Sequence, residues 1–240
     1  LYTLRAEIYT DGEAIDRLDT AIGIRTLRVT REGMFLNGKK LSLEGANRHQ
    51  QYPHLGIAVS DEAHAREMRL LKEGGFSLLR LCHYPQAPAV YDACDRLGIV
   101  VLECTPGWQW CLGTGLFRPR AYQNIREMIR RDRNHPSVIL WEVSLNETGA
   151  TERYMWNDKW SGADDDFMHT CHLIAHEEYP GDQMITAGDT VGRVDPDFVD
   201  FDVRYPGPED DQSKGRTKKP IFHREYGDFE FGFHFSTSRQ

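Results

Sequence analysis

The sequence lacks several features that would assign it to a common class of protein. Basic residues are outnumbered, with 29 Lys and Arg against 37 Asp and Glu, so the net charge of −8 predicts no nucleic-acid or anionic-membrane partner. No apolar run approaches the ~18 residues that a membrane-spanning helix requires. The five cysteines (Cys82, Cys94, Cys104, Cys111 and Cys171) are odd in number and show no CxxC spacing. A full disulfide framework is therefore excluded, and a structural cysteine-zinc site is disfavoured.

An initiating methionine and a signal peptide are also missing, because the chain opens at Leu1. We therefore expect this chain to be cut from a longer protein. The sequence does not assign a localisation directly. We favour a bacterial periplasmic or secreted protein, with the cytoplasm as the alternative. Homo-oligomerisation is left open.

The sequence divides into two regions with different patterns of predicted secondary structure. Hydrophobic residues make up 40% and aromatic residues 11% of the 240 positions, enough for one sizeable domain with a buried core. Residues 1–29 alternate in the manner of β-strands, and Asp11-Gly12 and Asn37-Gly38 are signals for tight turns. We expect residues 1–29 to be the last strands of an immunoglobulin-like β-sandwich domain, whose other strands lie outside this chain.

From Lys40 onward, strands alternate with helices. Strands are predicted at 41–47, 76–81, 99–102, from Ser137, and at 184–187, 199–205 and 220–225; helices are predicted from Ser60 or Asp61, from Pro88, from Pro119 and over 164–179. Such alternation predicts an α/β fold with a parallel sheet. Seven strands favour a (β/α)8 TIM barrel over residues 30–240, with its eighth strand beyond Gln240. An open doubly wound sheet is the alternative, but it would want a glycine-rich first turn, which Gly45-Ala46-Asn47 is not.

The most informative stretch runs from Ser137 to Glu147, an apolar and β-branched run that ends abruptly in Asn146 and Glu147. A strand buried on both faces has this pattern, and barrel enzymes place their chemistry at the C-terminal ends of such strands. Other strand ends contribute His49, His83, Tyr205 and Glu225. Two carboxylates from different strands suit glycoside hydrolysis, in which one carboxyl protonates the leaving oxygen while the other attacks or activates water.

At these residues the sequence resembles glycoside hydrolase family 2, the group of β-galactosidases, β-glucuronidases and β-mannosidases. The matching motifs occur in family order: Gly23-Ile24-Arg25, Gly45-Ala46-Asn47-Arg48-His49, Arg80-Leu81-Cys82-His83-Tyr84-Pro85, Asp132-Arg133-Asn134-His135-Pro136-Ser137-Val138, Asn146-Glu147 and Glu225-Tyr226-Gly227. The resemblance covers nearly the whole chain.

The resemblance implies roles for individual residues. Glu147 would be the acid/base and Glu225 the nucleophile. Asn146 would hold the 2-hydroxyl of the sugar, and Tyr205 would be bonded to the nucleophile.

Further residues would line the substrate site. His49 and His83 would line the sugar subsite, and Arg80 would orient carboxylates. A purely structural ion pair within the barrel is the alternative for Arg80. Trp108 and Trp110 resemble a platform for an additional sugar, with surface packing as the alternative.

Two neighbours in the Ser137 strand are expected to be structural rather than catalytic. Trp141 should belong to the core. Glu142 should pair with an arginine inside the barrel.

The sequence departs from the family pattern at several positions. Leu145 replaces the usual glycine before Asn-Glu, and Glu103-Cys104 stands where the third strand usually ends in Asp-Glu. The Glu/His pair that binds magnesium in some β-galactosidases has no counterpart in residues 105–113. We therefore expect no required metal and no cofactor. The Asn-x-Lys motif of glucuronidases is not visible.

The predicted function is that of a retaining, exo-acting β-glycosidase with a carbohydrate substrate. β-Galactosides are the first expectation, and β-glucuronides or β-mannosides are the alternatives within the family. A non-catalytic carbohydrate-binding relative is the alternative from another class. Intact Glu147 and Glu225 argue against it, because two buried carboxylates are costly to keep without a use.

Overall fold

The structure is a computed structural model, and it describes residues 1–30, 32–106, 115–144, 165–179, 181, 184–186, 200–204 and 221–223. The chain opens with an antiparallel hairpin of β1 (Tyr2–Thr10) and β2 (Glu13–Ile22), exposed along nearly its whole length. Asp11 and Gly12 join the strands with φ angles of 51° and 85°. Two successive positive φ angles make the tight hairpin turn that the Asp-Gly pair predicts.

A second antiparallel unit follows the hairpin. It contains β3 (Leu27–Thr30), β4 (Gly33–Leu36) and β5 (Lys39–Lys40). The predicted turn at Asn37-Gly38 is present, with φ angles of 50° and 76°. Because β3 pairs with β4, this sheet crosses the predicted domain boundary between residues 29 and 30. The assignment of residues 1–29 to a β-sandwich stays a prediction.

The main sheet is parallel, and its strands lie side by side in chain order. It consists of β6 (Gly45–Arg48), β7 (Leu78–Leu81), β8 (Val100–Cys104), β9 (Val138–Glu142) and β10 (Met184–Thr186). A separate parallel pair contains β11 (Asp202–Arg204) and β12 (Ile221–His223). Between the sheet strands lie α1 (Asp61–Glu73), α2 (Pro88–Leu97), α3 (Phe117–Asp132) and α4 (Asp165–Glu178). All seven predicted strands are present, in the order that a barrel requires.

Local signals set the helix ends. The Ser60 hydroxyl accepts a hydrogen bond of 3.3 Å from the Ala63 amide at the start of α1, and Pro88 occupies the first turn of α2. Gly98 ends α2 in the left-handed conformation, with φ of 66°. Helix α3 begins at Phe117, two residues before the predicted start at Pro119. Proline is tolerated there because amide groups in the first turn have no partner within the helix.

Two hydrophobic clusters lie on opposite faces of the parallel sheet. The face toward the helices packs Leu79, Leu81, Val101, Val138 and Trp141 against Met68, Val90, Ile125 and Phe167. The opposite face brings together Leu78, Val100, Leu102 and Leu140 with Phe201 and Phe222 of the β11–β12 region. Leu27 and Met34 of the small sheet, with Leu41 and Leu43, cover this second cluster. Both faces are therefore buried, which explains the continuously apolar strands.

The segment between β2 and β3 is fixed to the beginning of β9. Arg25 donates from Nε to the Pro136 carbonyl at 2.8 Å and from Nη2 to the Val138 carbonyl at 2.7 Å. Gly23 lies against the Pro136 ring, in space that a Cβ atom would occupy. The Gly23-Ile24-Arg25 motif therefore acts as a strap across the N-terminal end of this strand. No helix in the described ranges is long and apolar enough to cross a bilayer.

Replacing Gly23 by Ala should weaken the strap, because the added methyl group would collide with the rigid Pro136 ring. We expect the free energy of unfolding to fall by about 1–3 kcal/mol, as for other overpacked sites. Urea unfolding measures the change. Gly115→Ala is the matched control, since nothing lies within 4 Å of the Cβ position there. Equal stability of the two variants would contradict the contact.

Candidate active site

The parallel sheet collects polar side chains at the C-terminal ends of its strands. His49 follows β6 and His83 follows β7, while Cys104 and Glu142 are the last residues of β8 and β9. In parallel α/β proteins these ends meet at one edge of the sheet, where ligands bind.

A buried ion pair lies directly below this edge. Arg80 Nε contacts Glu142 Oε2 at 2.7 Å and Arg80 Nη2 contacts Glu142 Oε1 at 2.9 Å, so the pair is bidentate. Their side chains are only 2% and 0% exposed. Cys104 lies between the two strands, and its thiol donates to Glu142 Oε2 at 2.9 Å. Asn47 Oδ1 accepts from Arg80 Nη1 at 3.4 Å, so four neighbouring strands, β6 to β9, meet in one polar layer.

The charge of Glu142 helps to keep both of its hydrogen-bond donors, Arg80 and Cys104, protonated. Burial would lower the pKa of Arg80, but the negative charge of Glu142 outweighs it and raises that pKa. Burial, together with the charge of Glu142, raises the pKa of the Cys104 thiol well above its usual range. Cys104 therefore remains a protonated thiol and donates a hydrogen bond to the carboxylate. The expected pairing of Glu142 with an arginine inside the barrel is confirmed, and so is the core position of Trp141.

The two predicted sugar-site histidines lie together. The His49 and His83 rings meet edge to face, with centroids 5.8 Å apart. The His49 side chain is exposed, whereas His83 is half-buried. Their contact with a sugar stays a prediction, as does any contact of Arg80 with substrate.

A network that the sequence did not predict supports these histidines. Arg48, next to His49, is buried and forms a bidentate pair with Glu67 of α1, at 3.0 and 2.6 Å. Tyr52 donates its hydroxyl to Glu67 Oε2 at 2.9 Å. Gln86 contacts the Arg48 guanidinium and donates from Nε2 to the Arg48 carbonyl at 2.7 Å. The only signal in the sequence was the position of Arg48 beside His49.

The loops that follow β6 and β7 are also joined directly. The Gln50 amide donates to the Tyr84 hydroxyl at 2.9 Å, and the Ala87 amide donates to Gln50 Oε1 at 2.7 Å. The Tyr84 hydroxyl therefore helps to connect these two loops. These bonds hold the backbone around His49 and His83 in a single arrangement.

Glu103 faces the other side of the sheet. It is fully buried toward the helices, where the Tyr91 hydroxyl donates to its Oε1 at 2.7 Å. Alternation along β8 therefore gives the interior position to Cys104, and the helix-facing position to the carboxylate.

Six predicted site residues fall outside the described residues: Asn146, Glu147, Trp108, Trp110, Tyr205 and Glu225. For the two proposed carboxylates, the separation along the chain from a described strand can be stated. Glu147 comes five residues after Glu142 at the end of β9, and Glu225 comes two residues after His223 at the end of β12.

Comparison with known proteins now identifies the family. The family model described as "Glycosyl hydrolases family 2, TIM barrel domain" matches residues 27–229. This chain belongs to glycosyl hydrolase family 2. Its fold is accordingly the (β/α)8 barrel that the alternating strands and helices predict.

Individual relatives agree with this assignment. The β-galactosidase of Thermoanaerobacterium thermosulfurigenes is 40% identical over 166 residues, which cover 69% of this chain and 21% of that protein. A putative β-glucuronidase of Formosa agariphila is 35% identical over 188 residues, covering 75% and 22%. The apo structure of Bacteroides uniformis β-glucuronidase 3 superposes with a TM-score of 0.78 at 28% identity, covering 94% of this chain and 29% of that one. The chain thus spans about a fifth of the length of its curated relatives.

Two groups of described residues have the donor atoms that a metal ion needs. One contains Asp92, Asp95 and His135, and the other contains His172, His176 and Asp200. Neither lies at the C-terminal edge of the sheet: His135 precedes β9 and Asp200 precedes β11. In the first group, Asp95 bonds His135 Nδ1 at 2.7 Å and the Ser137 amide at 2.9 Å, which fixes the start of β9.

Removing one partner of the buried Arg80–Glu142 pair should lower the stability of the fold. Arg80→Met leaves Glu142 buried without its cation, so we expect a loss of about 3–5 kcal/mol in the free energy of unfolding. The double variant Arg80→Met/Glu142→Met should recover much of this loss, because it leaves no buried charge. Urea unfolding of each variant measures the effect.

The control is Arg5→Met, which removes an exposed pair with Asp19 on the hairpin and should change stability little. If Arg80→Met costs no more than this control, the pair is not what holds the strands together.

The buried carboxyl of Glu103 predicts a pH-dependent stability. Burial, followed by the negative charge of nearby Asp132, raises the pKa of Glu103. The folded state therefore holds this proton more tightly than the unfolded chain, whose glutamate pKa is about 4.3. Stability is lost as pH rises above that value, by about 1.4 kcal/mol for each unit that separates the two pKa values.

Glu103→Gln removes this titration while keeping an acceptor for Tyr91. We expect the variant to be more stable than the parent at pH 7 and equal to it near pH 4, by denaturant unfolding across that range. Glu127→Gln, at an exposed position of α3, is the control and should leave the profile unchanged. A Glu103→Gln variant that is less stable at pH 7 would refute the assignment.

Proposed function

We propose that the protein containing this chain is a retaining, exo-acting β-glycosidase that hydrolyses terminal β-linked sugars. Family membership is the observation that carries this proposal. The converging strand ends support it, because they bring His49 and His83 to one edge, above the polar layer of Arg80 and Glu142.

The proposed reaction proceeds by double displacement. Glu225 attacks the anomeric carbon while Glu147 protonates the departing glycosidic oxygen, which gives a covalent glycosyl-enzyme. Glu147 then acts as a base and activates the water that hydrolyses this intermediate. No metal or other cofactor takes part in either step.

The remaining predicted residues bind and orient the sugar. Asn146 holds the 2-hydroxyl, where hydrogen bonds strengthen in the transition state. Tyr205 contacts the nucleophile, and His49 and His83 hydrogen-bond other hydroxyl groups. Trp108 and Trp110 stack against an additional sugar.

Glu142 helps to position the proposed acid/base residue Glu147 through the strand that precedes it. It ends β9 five residues before Glu147, and its bidentate contact with Arg80 fixes the strand from which the acid/base loop departs. Positioning of this kind is a large part of catalysis, because small displacements of a catalytic group are costly.

β-Galactosides are the proposed substrates, since the curated relative with 40% identity is named a β-galactosidase. β-Glucuronides are the second candidate. They are favoured by the relative named a putative β-glucuronidase and by the β-glucuronidase structure that superposes over 94% of this chain.

A panel of nitrophenyl β-galactoside, β-glucuronide and β-mannoside, tested on the full-length protein, separates these substrates. We expect turnover of the galactoside, and NMR of the first-formed sugar should show the β-configuration. Turnover of the glucuronide alone would select the second candidate. An α-configured first product would overturn the retaining mechanism, and no turnover of any β-glycoside would favour a non-catalytic relative.

Two variants test the proposed carboxylates. Glu225→Ala should abolish activity on every substrate, because nothing else can form the glycosyl-enzyme. Glu147→Ala should lose about 10²–10⁴-fold on substrates with poor leaving groups, but far less on activated aryl glycosides. Added azide should then yield a β-glycosyl azide. Glu127→Gln on α3 is the control, and activity surviving in Glu225→Ala would refute its role.

A further inference from the structure

Three potential metal ligands lie together at the end of the barrel opposite the candidate active site. His172 and His176 stand four residues apart on α4, and therefore on one face of that helix. Asp200 precedes β11. One ring nitrogen from each histidine and one carboxylate oxygen of Asp200 all lie within 4.8 Å of one another.

One of the three distances between these atoms is close to that in a coordination shell. His176 Nε2 and Asp200 Oδ2 are 3.1 Å apart. Ligands about 2.0–2.1 Å from a tetrahedral zinc ion are separated by about 3.3 Å. The His172 and His176 rings are 4.5 Å apart between centroids and inclined at 69°, so they are not stacked face to face.

The three residues of this group differ in how much of each side chain is exposed to solvent. His172 is 7% exposed, whereas the side chains of His176 and Asp200 are 39% and 27% exposed. An ion can therefore reach the group from the side of His176 and Asp200, and a water molecule can complete its coordination. The inner ligand is shielded by protein, which favours a site that retains its ion.

Asp200 is already oriented by the backbone. The Ile185 amide of β10 donates to Asp200 Oδ2 at 2.9 Å, and the Asp200 amide donates to the Ile185 carbonyl at 3.0 Å. Contacts of this kind align a carboxylate for a metal ion.

We propose that His172, His176 and Asp200 form a structural site for a divalent transition-metal ion, with zinc as the preferred occupant. Two imidazoles with one carboxylate suit zinc, whereas magnesium and calcium favour oxygen ligands. A bound ion would join α4 to the segment between β10 and β11. The site plays no part in the proposed hydrolysis. The metal-site proposal is therefore tested independently of the proposed glycosidase function.

Zinc binding to the purified full chain tests the proposal directly. The chain, without a polyhistidine tag, is stripped by a chelator and titrated with zinc in a calorimeter. We expect one ion per chain and a rise in the midpoint of thermal unfolding with zinc concentration, because the ion binds only the folded state. Cobalt in place of zinc should give the visible absorption of a four-coordinate ion.

The matched variants are His176→Gln and His169→Gln. Both lie on the accessible side of α4, but His169 is outside the group. His176→Gln should weaken zinc binding by at least about 100-fold, since even outer-shell changes cost 10–100-fold. His169→Gln should bind zinc like the parent.

If His176→Gln does not fold, Asp200→Asn provides the same test with a side chain of equal size. Absence of saturable binding would show that His176 and Asp200 form only a hydrogen-bonded pair, and would overturn the proposal. Equal weakening by His169→Gln would also overturn it.

Discussion

A guanidinium and a carboxylate pair with each other, shielded from solvent, below the candidate active site. Arg80 and Glu142 belong to strands separated by β8, so their contact spans three strands rather than two. Cys104 of the intervening strand completes the layer through its bond to Glu142. Any other register of β7 or β9 would leave one of these two charges without its partner in an apolar interior, which is costly.

This layer separates the two ends of the molecule. Below it, the interior is apolar and is covered by the small sheet and by the segment that leads into β6. Above it lie His49 and His83, whose loops are fixed by Arg48, Gln86 and Tyr84. Barrel enzymes commonly divide stability and chemistry in this way between the two ends of their strands. The proposed metal site lies at the opposite end from the candidate active site, where barrel enzymes commonly place residues that serve stability.

Local features of the fold could be predicted from the sequence because they depend on neighbours in the chain. Ser60 and Pro88 marked helix starts, and Asp11-Gly12 marked a turn, for reasons that act within a few residues. The prediction for Glu142 also succeeded, since a lone carboxylate within an apolar strand needs a cation. The opposite orientations of Glu103 and Cys104 could not be predicted, because a strand buried on both faces shows no alternation. The partners of Arg48 were missed for another reason: Glu67 and Gln86 lie 19 and 38 residues away in sequence.

The strap formed by Gly23 and Arg25 has a consequence for the evolution of the family. Arg25 binds backbone carbonyls, which every residue provides, so the side chain at position 138 can change without any change at position 25. Gly23, in contrast, is matched to the ring of Pro136. A descendant that loses this proline gains room for a larger residue at position 23, whereas one that keeps it does not. Substitutions at positions 23 and 136 should therefore occur together, whereas the residue at position 138 should vary independently of the residue at position 25.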